Sequence, residues 1–195
     1  MNTITIEMPE GDKGLFTVFS GYGFSVDAPA GSSIRELLQK TLGLDADYID
    51  NHIQTILHDG KPVDDIDSWK IASASTIALS GALPGLFGAA FRKGGEYAPL
   101  RPGGVQAGDA APSKNGAIRI TVKLFNLTAR QLGPKLLENG IRMSTENFRS
   151  LWKNIRKLDT DRSLHVFLDG SKTAPELLSE SIGSEEVFLF VQLME

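Results

Sequence analysis

Three aspartates within four positions, Asp64, Asp65 and Asp67, form a compact set of oxygen ligands of the kind that holds a hard divalent cation. A solvated acidic loop is the ordinary explanation, and no metal is expected there. His52, His58 and His165 are scattered without ligand spacing, so structural roles are expected for them. Arg149, Lys153 and Arg156 fall on one face of a helix, where they could meet phosphate or an acidic partner. A solvated helix face is the ordinary explanation. The chain has no cysteine, which removes disulfides, thiolate metal sites and cysteine nucleophiles together. It has no Gly-x4-Gly-Lys-Ser/Thr loop for phosphate, and no Ser/His/Asp grouping or carboxylate pair is argued by spacing. The expectation is a non-enzyme without a cofactor and without catalytic residues.

Two glycine pairs stand inside the chain. Gly94-Gly95 follows Arg92-Lys93, and Gly103-Gly104 follows Arg101-Pro102. Residues 96–116 are rich in Gly, Pro and Ala and read as a flexible linker, to which such pairs are native. Residues 81–95 differ: they are apolar and Gly-rich, with Leu83, Leu86, Phe87 and Phe91 ahead of Arg92 and Lys93. These six are the candidate partner-binding residues. A segment of this kind packs on something, either a partner or its own domain.

The flanking elements repeat. Asp59-Gly60 and Asp169-Gly170 stand 110 residues apart, each after an apolar run, Ile53–Leu57 and Val166–Leu168. Asp-Gly between such runs signals a tight hairpin, because both turn positions want positive φ. At the same offset Ile77 falls on Val187 and Leu79 on Leu189. Repetition of this kind points to two copies of one small fold. In the first copy Thr3–Met8 alternates as a strand, and Phe16–Ala28 reads as further strand around Gly21-Tyr22-Gly23. Ser33 and Glu36 make a capping box ahead of a helix whose stripe is Ile34, Leu37, Leu38 and Leu42, with Gly43 as its stop. Ile77–Leu79 is the last strand. In the second copy Ile118–Phe125 is a strand and Ala129–Gly140 a helical turn or short helix. Ile141–Met143 is a brief strand, and Ser144 caps a helix with Phe148, Leu151, Trp152, Ile155 and Leu158 on its apolar face. Val187–Leu193 closes the copy.

Hydrophobic residues make up 41% of the 195, enough for packed cores. Residues 1–95 carry seven Lys/Arg against twelve Asp/Glu, and residues 117–195 carry eleven against ten. Neither half has the basic excess of a nucleic-acid-binding domain. With no signal peptide expected ahead of Thr3 and no apolar run long enough to span a bilayer, no membrane partner and a cytoplasmic location are expected.

The order strand, strand, helix, strand-turn-strand, strand is that of the ubiquitin-like β-grasp. The expected fold is α+β: two tandem β-grasp domains, each a mixed sheet packed against one main helix. The expected boundaries are 1–80, then 81–116 as apolar Gly-rich segment and linker, then 117–195. Val122-Lys-Leu-Phe-Asn-Leu-Thr-Ala-Arg-Gln-Leu-Gly133 resembles the first strand and following turn of the ThiS/MoaD sulfur-carrier family. The helix Ile34–Leu42 and the run Leu57-His-Asp-Gly-Lys-Pro-Val-Asp64 resemble the same family in the first copy. The resemblance implies a carrier whose terminal Gly-Gly carboxylate is adenylated, glycines being needed to thread a narrow active site. This chain departs from that: Gln192-Leu-Met-Glu195 has no glycine, and an internal glycine is an amide rather than a carboxylate.

The sequence is therefore read first as a non-catalytic ubiquitin-like adaptor that binds protein partners. The alternative is the precursor of a sulfur carrier or modifier. Its tail would be Gly94-Gly95 or Gly103-Gly104 after cleavage, and its partner an adenylyltransferase of the ubiquitin-activating type. A third reading is a non-catalytic subunit of a larger enzyme complex.

Overall fold

The structure, a computed structural model, describes residues 1–9, 15–82, 85–97, 116–158 and 164–194. It is α+β. In chain order it runs β1 (Asn2–Pro9), α1 (Leu15–Gly21), β2 (Phe24–Pro29) and α2 (Ile34–Glu36), which continues as a π-helical stretch, Leu37–Thr41. A second π-helical turn, Tyr48–His52, precedes β3 (Thr55–His58), β4 (Lys61–Pro62), β5 (Thr76–Ser80) and α3 (Gly85–Phe91). Then come β6 (Ala117–Phe125), α4 (Asn126–Glu138), β7 (Ile141–Ser144) and α5 (Thr145–Leu158). The chain closes with β8 (His165–Leu168), β9 (Ser171–Lys172), α6 (Leu178–Ser181) and β10 (Glu186–Met194). Among the described residues no helix is long and apolar enough to cross a membrane.

The chain divides into two compact units. One is continuous, Val26–Thr128; the other is split, Met1–Ser25 with Ala129–Glu195. This is not the division expected at 1–80 and 117–195. The strand β1 belongs with the later residues, and β6 belongs with the earlier ones.

In the continuous unit the strand order is β4-β3-β5-β6-β2. β5 is central, antiparallel to β3 through Ile56↔Leu79 and parallel to β6 through Ile77↔Val122. Alternation along β6 buries Ile118, Ile120, Val122 and Leu124 on one face. Asp27 of β2 pairs with Arg119 of β6 at 3.0 Å. The capping box forms: the Glu36 N–H donates to Ser33 Oγ at 3.1 Å, and the Ser33 N–H donates to Glu36 Oε2 at 2.9 Å. Ile34, Leu37 and Leu38 are fully buried. Leu42 is only half-buried. The wider π-helical turn, with Leu42 N–H bonded to Leu37 O, breaks the 3.6-residue period that would have kept it in the stripe.

In the split unit the order is β7-β10-β1-β8-β9. β1 is parallel to β10 and antiparallel to β8, and Ile4, Ile6 and Met8 are fully buried. Ser144 Oγ accepts the Asn147 N–H at 3.1 Å, which caps α5 as expected. Phe148, Leu151, Trp152 and Ile155 are buried, whereas Leu158, on the last turn, is 56% exposed. Residues 15–21 are helical where the Thr-Val-Phe run reads as strand. α1 packs against α5, and Asn147 and Asn154 of α5 bond to Tyr22, so tertiary contacts override a weak β-propensity. Gly140 ends α4 at φ 84°, where a Cβ would sit 2.6 Å from the Phe188 ring.

The two units share one plan, but not by the strand equivalence that the 110-residue offset suggests. In the continuous unit the Asp59 N–H donates to Thr76 O at 2.9 Å and the Thr76 N–H to Asp59 Oδ1 at 2.7 Å. In the split unit Asp169 makes the same pair of bonds with Thr3, at 2.8 and 2.7 Å. Ile77 lies opposite His58, and Ile4 lies opposite Leu168. β1 thus takes the place of β5, and β10 takes the place of β6.

Two stability outcomes follow. A fragment of residues 26–128 should melt cooperatively by circular dichroism, whereas 117–195 should show no melting transition because it lacks its central strand. In the full chain, Leu37→Ala or Leu151→Ala should each cost about 2–5 kcal/mol by urea titration.

Candidate functional site

The residues singled out by type do not converge. Asp65 caps its own loop, accepting from the Ser68 N–H at 3.1 Å and from the Ser68 hydroxyl. Asp67 pairs with Arg35 at 2.5 Å, and Asp64 accepts from the Gly94 N–H at 2.8 Å. Three neighbouring carboxylates therefore serve three different donors. No group of three or more metal-type side chains is found among the described residues. Arg35 also bonds Asp50 at 3.0 Å, and that bond holds the Asp50 carboxyl below its ordinary range. Arg149 donates to the carbonyls of Ser179 and Ile182, both at 3.2 Å, and Arg156 pairs with Glu176 at 2.7 Å. The two arginines of the expected basic face thus fasten the segment around α6 to α5.

The histidines sit apart in role. His52 stacks on Tyr48 at 5.1 Å, and His165 lies 3.7 Å from Glu7. His58, at the end of β3, packs edge-on against Trp69 at 5.6 Å. Burial lowers the His58 pKa below its ordinary 6.5, with the nearby Asp59 carboxylate opposing the shift.

The site with most structure is the start of β3 and the segment that follows β5. The small side of α3 faces Gln54 and Thr55 across a cavity of about 170 Å³ bordered by Gly85, Gly88, Ala89 and Arg92. Arg92 donates from Nε to Gln54 Oε1 at 2.8 Å and from a terminal nitrogen to the same oxygen. The Lys93 N–H donates to Gln54 O at 2.7 Å, and Lys93 Nζ to Ile49 O at 3.0 Å. Burial lowers the Lys93 pKa, and the Asp50 carboxylate opposes that. Gly94 is held at φ 61° by its bond to Asp64, and the Gly95 N–H donates to Arg92 O at 3.0 Å.

Of the candidate partner-binding residues, Arg92 and Lys93 are thus bonded within the continuous unit, and Phe91 is half-buried. Leu86 and Phe87 lie on α3. Leu83, Gly103 and Gly104 lie outside the described residues. Gln54 and the carbonyl of Ile49 carry no signal in the sequence; their part in the site depends on the chain returning to β3 after α3. No family model, curated protein or solved structure matches the chain.

The His58 environment sets a pH dependence. Below the unfolded value of 6.5 the unfolded chain takes up a proton that the folded chain resists. Stability should therefore fall as pH drops through 6.5 toward the lowered folded value. His58→Leu should flatten that decline, read from urea midpoints across the histidine range.

Proposed function

We propose that the chain is a non-catalytic protein-interaction module built of two ubiquitin-like β-grasp units, related in plan to the ThiS/MoaD carriers. The β-grasp reading is supported by the shared strand plan: strands with a parallel central pair, an Asp-Gly hairpin on one side and, in each unit, a helix with a buried apolar face. One observation favours an adaptor over a carrier. Gly94 and Gly95, the stretch that a carrier would need as a free tail, are bonded back to Asp64 and Arg92. Freeing them requires both a peptide bond cleavage and the loss of those contacts. The adaptor role requires neither. Its partners would be proteins, met through the outer sheet faces, where Phe167, Phe188 and Phe190 are half-buried.

Intact mass of the protein recovered from its native host tests this reading. Full-length mass, unchanged by a co-expressed activating enzyme, is the expected result. A fragment ending at Gly95 or Gly104, particularly one heavier by the difference between oxygen and sulfur, would instead establish the carrier precursor.

A further inference from the structure

α3 and the four residues after it are fastened to the continuous unit in an uneven way. On the side facing β3, Gly85, Gly88 and Ala89 line a partly open cleft together with Gln54 and Thr55. At the far end the attachment is polar and dense. Gln54 takes Arg92 on its side-chain oxygen and the Lys93 N–H on its backbone oxygen, Ile49 O takes Lys93 Nζ, and Asp64 takes the Gly94 N–H. Gly85, at φ 78°, begins the helix with a backbone conformation that side-chain-bearing residues rarely adopt. A partly open cleft alongside, a left-handed glycine at one end and a polar clamp at the other are the parts of a hinged cover.

We propose that α3 with Arg92–Gly95 is a strap that opens and closes over the Gln54–Thr55 end of β3, with Asp64 as its latch. On opening, Arg92, Lys93 and Gly94 leave Gln54, Ile49 and Asp64 together, and the cleft widens. No covalent bond changes. The clamp suits this because a solvent-accessible hydrogen bond is replaced by water at small net cost, whereas a buried apolar contact is not. Burial of Lys93 Nζ, which disfavours its charged form, works against the closed state. The strap uses the bonds that hold Gly94 and Gly95 in the adaptor reading; its opening releases them without the peptide-bond cleavage that a carrier tail requires.

Amide hydrogen exchange on the full chain tests it, comparing wild type with Asp64→Ala, Asp64→Asn and Gln54→Ala. In the wild type the Lys93 and Gly94 amides should exchange more slowly than in a free peptide. Asp64→Ala should speed exchange at Lys93 and Gly94 roughly tenfold or more, the scale of losing a hydrogen bond to a charged acceptor. Gln54→Ala should do the same, and β3, β5 and β6 should keep their protection in both. Asp64→Asn, which retains an acceptor oxygen, should recover most of the loss. Free-peptide exchange at Lys93 and Gly94 in the wild type would mean that no closed strap exists. Wild-type rates in Asp64→Ala would remove Asp64 as the latch. An equal rise through β3, β5 and β6 would make the segment part of the core's cooperative unfolding rather than a strap.

Discussion

Each unit depends on a central strand held from two sides, and an aspartate at a tight turn fixes where that strand lies. Asp59 exchanges two hydrogen bonds with the backbone of Thr76, and Asp169 exchanges two with Thr3. In both turns the aspartate has φ near 49°, a conformation open to few residues besides glycine, asparagine and aspartate. The turn thus supplies a carboxylate where the strand's exposed N–H needs an acceptor. Because side chains alternate along a strand, a slip of one residue would turn Ile4 and Ile6, or Ile77 and Leu79, from the core to the other face. The Asp–Thr bonds set the register that keeps all four buried. At Asp169 the Thr3 N–H and the Asn2 side chain both hold the carboxyl in its charged form, which lowers its pKa.

The same principle, polar groups deciding position while apolar groups supply the driving force, runs through the rest of the molecule. Arg149 and Arg156 belong to an amphipathic helix whose buried face is Phe148, Leu151, Trp152 and Ile155. Their charged ends tie down the segment around α6 rather than facing only water. Arg35 bridges Asp50 and Asp67, joining the start of α2 to the π-helical turn Tyr48–His52 and to the loop at Asp67. Charges that sequence spacing marks as a possible binding face or metal loop are thus engaged at the surface by backbone groups and opposing charges, several of them distant in sequence. In the segment 85–95, hydrogen bonds hold the C-terminal end, beside a partly open cleft.

Local signals were legible where the chemistry is local. The capping box of Ser33 and Glu36, the Ser144 cap, the two Asp-Gly turns and the alternation of β6 each depend on residues within a few positions of one another, and each forms as read. The α1 stretch is not legible in this way: Thr17-Val18-Phe19 favours strand by type, while its helix is stabilised by packing on α5, more than a hundred residues away. Leu158 was placed in a core stripe by period alone, although that stripe runs out one turn earlier. Gln54 could not have been picked out, since an isolated glutamine carries no pattern.

The sequence by itself determined that the chain is α+β, that two Asp-Gly hairpins recur, and which face of each strand is apolar. It could not determine which strand fills which sheet. Thr3-Ile4-Thr5-Ile6, Thr76-Ile77-Ala78-Leu79 and Glu186-Val187-Phe188-Leu189 all place apolar residues at every second position, so periodicity fits any of them to the centre of a sheet. Tertiary structure decided it by closing each turn on a particular threonine. Asp169 takes Thr3 from the other end of the chain, and β10, which the repeat pairs with β5, becomes the counterpart of β6. A strand's alternation specifies the side it buries; its partner is specified by backbone hydrogen bonds, which every residue but proline can make in the same way.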